Sequence, residues 1–449
     1  MPALAPASPP GPKARFPGDM ILRMSRERIE LLRTMAKEFG DVSSVTLGKQ
    51  RIVLLTSPDD IRDVLVTHQR IFRKGQALER AKVLIGEGLL TSEGEAHLRQ
   101  RRLVQPAFHR ARIAAYAGAM TGAAMARQAT WHDGQLLDAN RAMMMITLDI
   151  VATTLFNADV GSESTEIGSA MDDVFKSFTL GYGPLTPLLD LLPSAKKRRF
   201  LAGKKRMDAT IDRIIGERRA SGEDTGDLLS MLLHATDTEG DGTGMSDQQL
   251  RDEAITLFIA GHETTANALT WTWLLLARSP DAERALHEEV DRVLGDRLPT
   301  MDDLPQLPMT RAIVAESMRL YPPAYIVGRR AMEPYSVGGF EFPARTLFLC
   351  PQFIVHRDPR WWPEPEKFLP ERWFDAAAMA ARPKMAYFPF GAGTRICVGE
   401  QFAWMEAMIV LATLARRWRV LVDGPDPALE PIITLRPKNG LPARLSRRP

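Results

Sequence analysis

The chain has 449 residues, of which 45% are hydrophobic and 25% charged, with a formal net charge of +3. That is the composition of an ordinary globular protein, and the charge is too small to argue for nucleic acid or a membrane surface as partner. The only cysteines, Cys350 and Cys397, exclude a disulfide framework and point to a reducing cytoplasm.

Residues 1–18 are rich in Pro, Ala and Gly and read as a flexible lead-in, not as the apolar core of a signal peptide. No run of about eighteen uncharged apolar residues follows, so no membrane anchor is expected. Helical spacing covers Met20 to Glu38. Val42–Leu47 and Arg51–Leu55 then read as a small hairpin, and Ser57-Pro-Asp-Asp60 opens another helix. Phe72 to Ser92 reads as loop. From Glu93 to Phe108 the pattern is helical again, with His97 and Arg101 four apart on one face.

Helical patterns continue through Ala111–Thr154. Thr179–Leu192 is apolar but broken by Gly and Pro, which suits a mobile cover over a cavity. The basic run from Lys196 to Arg206 reads as a solvated helix face with no partner assigned. Thr236–Gly244 is a loop, and no internal repeat is found.

Ser246-Asp-Gln-Gln249 is a capping box. The helix it opens should run to Arg278, where Ser279-Pro280 stops it. Its apolar flanks predict burial, yet its middle holds Ala260-Gly261-His262-Glu263-Thr264-Thr265. A buried carboxylate needs partners or a raised pKa. A buried glycine costs about 1 kcal/mol against Ala, so Gly261 is expected to make room for something flat, with Glu263 and Thr264 handling protons near it.

Glu316 and Arg319 lie three apart on a helix that Pro322-Pro323 ends, and Arg372 follows in the Pro- and Trp-rich stretch 359–389. Arg329 and Arg330 compete for one inward strand position, since neighbours point to opposite faces. Phe390-Gly-Ala-Gly-Thr-Arg395-Ile-Cys397-Val-Gly399 precedes a long apolar helical pattern. Gly391, Gly393 and Gly399 permit tight turns, and a cysteine at a helix mouth favours a thiolate.

These motifs resemble those of the cytochrome P450 family. The Cys397 loop resembles its haem-binding loop, Ala260–Thr265 its oxygen-activation motif, Glu316-x-x-Arg319 with Arg372 its buried charge network, and His97-x-x-x-Arg101 its propionate-binding helix. The resemblance implies a mainly α fold with small β-sheets, a triangular helical prism with the long central helix crossing over the haem. Residues 19–449 would form that single domain. Cys397 would be the axial iron ligand, and His97, Arg101, Arg329 and Arg395 would hold the propionates of haem b, iron protoporphyrin IX. Ala260, Gly261, Phe390, Gly391 and Gly399 would line the cofactor. Glu263 and Thr264 would be the catalytic acid and alcohol, and Glu316, Arg319 and Arg372 a structural network.

The implied reaction is insertion of one oxygen atom from dioxygen into a C–H or C=C bond of a fatty acid, terpenoid or steroid-like molecule. Pocket candidates are the loop before Ser92, Phe258, Tyr325, Ile326, Val327 and the turn Pro437–Gly440. Electrons are expected from a separate ferredoxin or flavodoxin and its NAD(P)H reductase, which would dock on a basic face with Lys384 and Arg395. A cytoplasmic monomer without membrane anchor is expected. Two rivals stand beside this: a peroxide-driven peroxygenase, against which Glu263-Thr264 argues, and a non-catalytic haem sensor.

Overall fold

The computed structural model describes residues 8–157, 194–240 and 242–448. It is mainly helical with several small sheets. The helices that position the site are α1 (Asp19–Arg26), α2 (Arg28–Phe39), α3 (Gln76–Ile85), α4 (Gly94–Val104), α5 (Ala139–Phe156), α6 (Asp247–Arg278), α7 (Pro308–Leu320) and α8 (Glu400–Ala415).

Helix α6 is the axis of the molecule. Ser246 Oγ accepts the Gln249 N–H while the Gln249 side chain accepts the Ser246 N–H, so the predicted capping box forms. The helix runs 32 residues, about 48 Å at 1.5 Å per residue. Ile255, Leu269, Trp271 and Trp273 are all buried along it, packed against α5 and α8. Such burial, more than intrinsic propensity, sustains a helix of this length.

Among the described residues the sheets are formed by twelve strands: β1 (Val42–Leu47), β2 (Gln50–Leu55), β3 (Phe72–Lys74), β4 (Leu136–Asp138), β5 (Val327–Ala331), β6 (Tyr335–Val337), β7 (Phe340–Phe342), β8 (Leu347–Cys350), β9 (Trp418–Leu421), β10 (Leu429–Pro431), β11 (Leu435–Pro437) and β12 (Pro442–Arg447). The largest sheet has the order β1-β2-β8-β5-β3, with β2 and β8 parallel and the other pairs antiparallel. Its register sets Lys74 opposite Arg329 and Val327 opposite Cys350.

Two expectations need correction. The helix read over Met20–Glu38 is two helices, broken at Glu27. At the break Arg28 turns inward and donates to the Tyr325 hydroxyl at 2.6 Å and the Pro431 carbonyl at 2.8 Å. The stretch Phe72–Ser92, read as loop, contains β3 and α3. Strand β3 is three residues long and exists through its pairing with β5, a partner about 250 positions away that local pattern does not reveal. The Pro-rich lead-in is described from Ser8, and the Pro9 and Pro10 carbonyls accept from the Ser44 hydroxyl and N–H. Thr179–Leu192 lies outside the described residues. Among those described, no helix is long and apolar enough to cross a membrane.

Candidate active site

The Cys loop is folded by its own backbone. The Phe390 carbonyl accepts the Cys397 N–H at 3.0 Å, and the Phe388 carbonyl accepts the Gly391 N–H at 2.9 Å. Gly393 has φ of 70°, and a Cβ there would lie 2.1 Å from the Leu65 carbonyl oxygen, so no other residue fits. The Cys397 side chain is exposed, yet protein packed around it pushes its thiol up to about 11 by desolvation, against a bond from the Gly399 N–H. Burial therefore opposes the thiolate expected at a helix mouth. Helix α8 begins three residues later, and burial outweighs the helix terminus. A metal would have to displace the proton itself.

A cluster of cations stands beside the loop. Arg101 Nη1 donates to the Ile396 carbonyl at 2.8 Å, and Arg395 Nη1 to the Ser92 carbonyl at 2.7 Å. Arg395 also pairs with Glu93. Arg329 is buried and faces Arg395, whereas Arg330 pairs with Glu79 near the surface. The competition between the two is therefore settled for Arg329. His97 is held down to about 3 by burial, then by Arg395, Lys74, Arg101 and Arg329.

Lys74 was not singled out from sequence. Its Nζ donates to the Leu89 and Ser92 carbonyls at 2.9 and 3.1 Å. Burial first, and Arg395 second, push it down to about 6. Among the described residues Glu93 is the one carboxylate ion-paired within this group. Three guanidiniums, Arg101, Arg329 and Arg395, with Lys74 and His97 held toward their neutral forms beside them, leave a positive excess over the one ion-paired carboxylate. A ligand with two carboxylates, such as the propionates of a haem, fits it.

The centre of α6 carries the second motif. Glu263 is 3% exposed, and its Oε1 accepts from the Thr434 hydroxyl at 2.7 Å. Asn267 in turn donates to Thr434 at 3.1 Å. The Thr264 hydroxyl donates back to the Ala260 carbonyl at 2.7 Å, a bond that loosens a helix locally. Thr264 and Ala260 are half-buried and one turn apart. On the α5 side of Gly261 a Cβ would lie 3.1 Å from Val151, so this glycine lets the two helices approach. His262 is also on the α5 side, bonded to the Met144 carbonyl and held down to about 4 by burial.

Glu316 and Arg319 are both fully buried, and Arg372 Nε reaches Glu316 Oε1 at 2.9 Å. Trp373 and the Leu369 N–H also donate to this carboxylate. Arg319 donates to the His356 carbonyl, His356 Nε2 accepts the Phe388 N–H at 3.0 Å, and Phe388 starts the Cys loop turn. The network therefore ends at the backbone that presents Cys397.

The pocket candidates fare unevenly. Phe258 is buried against Phe156, with ring centroids 5.7 Å apart, on the α5 face of α6. Tyr325 is fully enclosed, its hydroxyl shared among Arg28, Pro431 and Ile432. Both are core residues, a correction. The turn Pro437–Gly440 is pinned to Asp138, which accepts the Leu441 N–H at 2.8 Å. Ile326 and Val327 are half-buried, and Val327 shares its strand face with Arg329. The loop before Ser92 is strapped onto α6, with Glu87 and Leu89 N–H groups donating to Asp252 and Glu253 at 2.7 and 2.9 Å. Arg395, expected on a docking face, is turned into the cation cluster instead, while Lys384 is exposed.

A model of the cytochrome P450 family matches residues 9–442. Cyclooctatin synthase of Streptomyces melanosporofaciens is 40% identical over 402 residues, covering 89% of this chain and 87% of that protein. Cyclooctat-9-en-7-ol 5-monooxygenase of the same organism is 36% identical over 386 residues, with coverages of 85% and 83%. Pentalenene oxygenase of Streptomyces avermitilis is 34% identical over 414 residues, with coverages of 91% and 90%.

Proposed function

The chain belongs to the cytochrome P450 family, and from that premise we propose how its residues carry the family's haem-thiolate monooxygenase chemistry. The cofactor is haem b, which when bound supplies dioxygen activation and insertion of one oxygen atom into a C–H or C=C bond. Cys397 would supply its sulfur ligand. Arg101, Arg329, Arg395, His97 and Lys74 hold the propionates, the charge partner that their buried excess lacks. Phe390, Gly391 and Gly399 shape the Cys side, and Ala260 and Thr264 the opposite side. Glu316, Arg319 and Arg372 keep the Cys loop in place through His356.

Thr264, whose hydroxyl donates to the Ala260 carbonyl, and Glu263, oriented by the Thr434 hydroxyl, would position protons on this side of the site. A positioned proton donor of this kind is worth about 10² to 10⁴ in rate. Val327 and Ile326 offer an apolar wall that excludes water.

The names of the relatives point to cyclic alkenes, cyclooctat-9-en-7-ol and pentalenene. We extend to this chain a ring-bearing terpenoid of that kind, in preference to a fatty acid or steroid. Electrons come from a separate ferredoxin or flavodoxin with its NAD(P)H reductase, docking near Lys384. Residues 19–449 act as one domain of a cytoplasmic monomer.

The observation that carries this reading is the accessible Cys397 side chain on a loop that Arg101 and Arg395 brace, beside the buried guanidinium of Arg329. Its test is the spectrum of the reduced protein under carbon monoxide. The parent should give the strongly red-shifted band of a thiolate-bound haem, and Cys397→Ser should lose it. Retention of that band in the Ser variant overturns the assignment.

A further inference from the structure

At the C-terminal ends of α6 and α7, the stretch 357–369 closes off a recess of about 330 Å³, at the small end of the range for ligand pockets. No residue that lines it belongs to the Cys loop, the cation cluster or the turn Ala260–Thr265. Leu274 and Leu275 of α6, Leu320 of α7 and Phe368 give it apolar walls.

Arg357 and Tyr321 supply its polar part. Arg357 is 8% exposed. The carbon of its guanidinium lies 3.9 Å from the centre of the Phe353 ring and 5.3 Å from that of Tyr321. With rings against it, the group finds its hydrogen-bond partners in its own plane. Nε donates to Glu366 at 3.1 Å and Nη1 to the Phe353 carbonyl at 3.2 Å. Among the described residues nothing accepts from Nη2. The Glu366 side chain is 68% exposed, and an ion pair with so wet a partner is weak. Burial accordingly pulls Arg357 down to about 10. Tyr321 is fixed by stacking on Trp271, with ring centroids 4.3 Å apart, and its hydroxyl has no partner among the described residues. Arg278, the other guanidinium here, is already satisfied by Asp426 and the Val422 and Gly424 carbonyls.

We propose that this recess binds a small apolar monocarboxylate. Its oxygens accept from Arg357 Nη2 and the Tyr321 hydroxyl, and its hydrocarbon lies against the four apolar walls. Each part of that ligand follows from the lining. One poorly compensated guanidinium matches a single negative charge. Two carboxylates at the recess, Glu366 and Asp426, repel a dianion such as a phosphate ester. The leucines and Phe368 offer a sugar or a nucleobase nothing to bond with.

The test uses the haem-loaded protein saturated with 4-phenylimidazole, so that the haem side is occupied and a second site alone responds. Decanoate is titrated by calorimetry, which needs no haem signal. One equivalent should bind, decanol should bind at least about tenfold more weakly for want of the charge-assisted bond, and decylamine should not bind. Glu366→Gln, an exposed change that releases Arg357 Nε, should tighten decanoate by about threefold or more. Tyr321→Phe keeps the ring on Trp271 and should weaken it about twofold to tenfold, the weight of one hydrogen bond. Arg357→Gln should abolish binding. No decanoate binding to the saturated parent, decanol binding as tightly as decanoate, or a Glu366→Gln variant that fails to tighten it overturns the proposal. Decanoate binding that survives in Arg357→Gln overturns it as well.

Discussion

Glu316 and Arg319 form two hydrogen bonds, at 2.9 and 2.8 Å, between side chains with no solvent exposure. The carboxylate also accepts from Arg372, Trp373 and the Leu369 N–H, so every one of its oxygens is used. Removing one member leaves the others charged and buried. Glu316→Ala is therefore expected to destabilise the fold by about 3 to 5 kcal/mol and to lower haem content through His356 and Phe388. Denaturant unfolding and the haem-to-protein absorbance ratio measure both effects.

Arg329 and Arg330 are neighbours with opposite fates. Arg329→Ala removes a buried cation from the cluster. Haem transfer from the variant to apomyoglobin should be faster by about tenfold or more, the weight of one charge-assisted bond. Arg330→Ala loses only its pair with Glu79, whose carboxylate is 43% exposed, and should change stability by less than about 1 kcal/mol. Equal haem loss in the two would contradict the strand register.

Tyr325 tests the reassignment from pocket to core. Tyr325→Phe leaves Arg28 without one partner and should cost about 1 to 3 kcal/mol. The substrate-binding spectral shift should keep its amplitude and midpoint. A changed midpoint with unchanged stability would return Tyr325 to the pocket.

His262 should shape the acid limb of stability. Unfolded, it takes a proton near 6.5; folded, only near about 4, because it is buried. Between those values the unfolded chain binds more protons, so stability falls as pH drops through that window, by about 1.4 kcal/mol per pKa unit. His262→Gln keeps a donor for the Met144 carbonyl and has no such titration. Its urea midpoint should therefore decline less between pH 6.5 and 4 than that of the parent.

Much of this site was legible before any coordinate. The capping box at Ser246, the stop at Ser279-Pro280, the shared face of His97 and Arg101 and the pairing of Glu316 with Arg319 are all short-range. Helical geometry converts spacing into proximity there without help from the rest of the chain. The positive φ of Gly391 and Gly393 is also a local property, although the closeness of Leu65 to Gly393 is not.

What only the tertiary structure decided depends on partners far away in sequence. Strand β3 exists because β5 pairs with it, and that register set Lys74 beside Arg329 and turned Arg330 outward. The packing of Gly261 against Val151 of α5 is likewise a long-range contact. Phe258 and Tyr325 were indistinguishable from pocket residues because an apolar side chain does not record whether it meets a ligand or the core. Composition and spacing determine which faces exist, and long-range packing determines what each face meets.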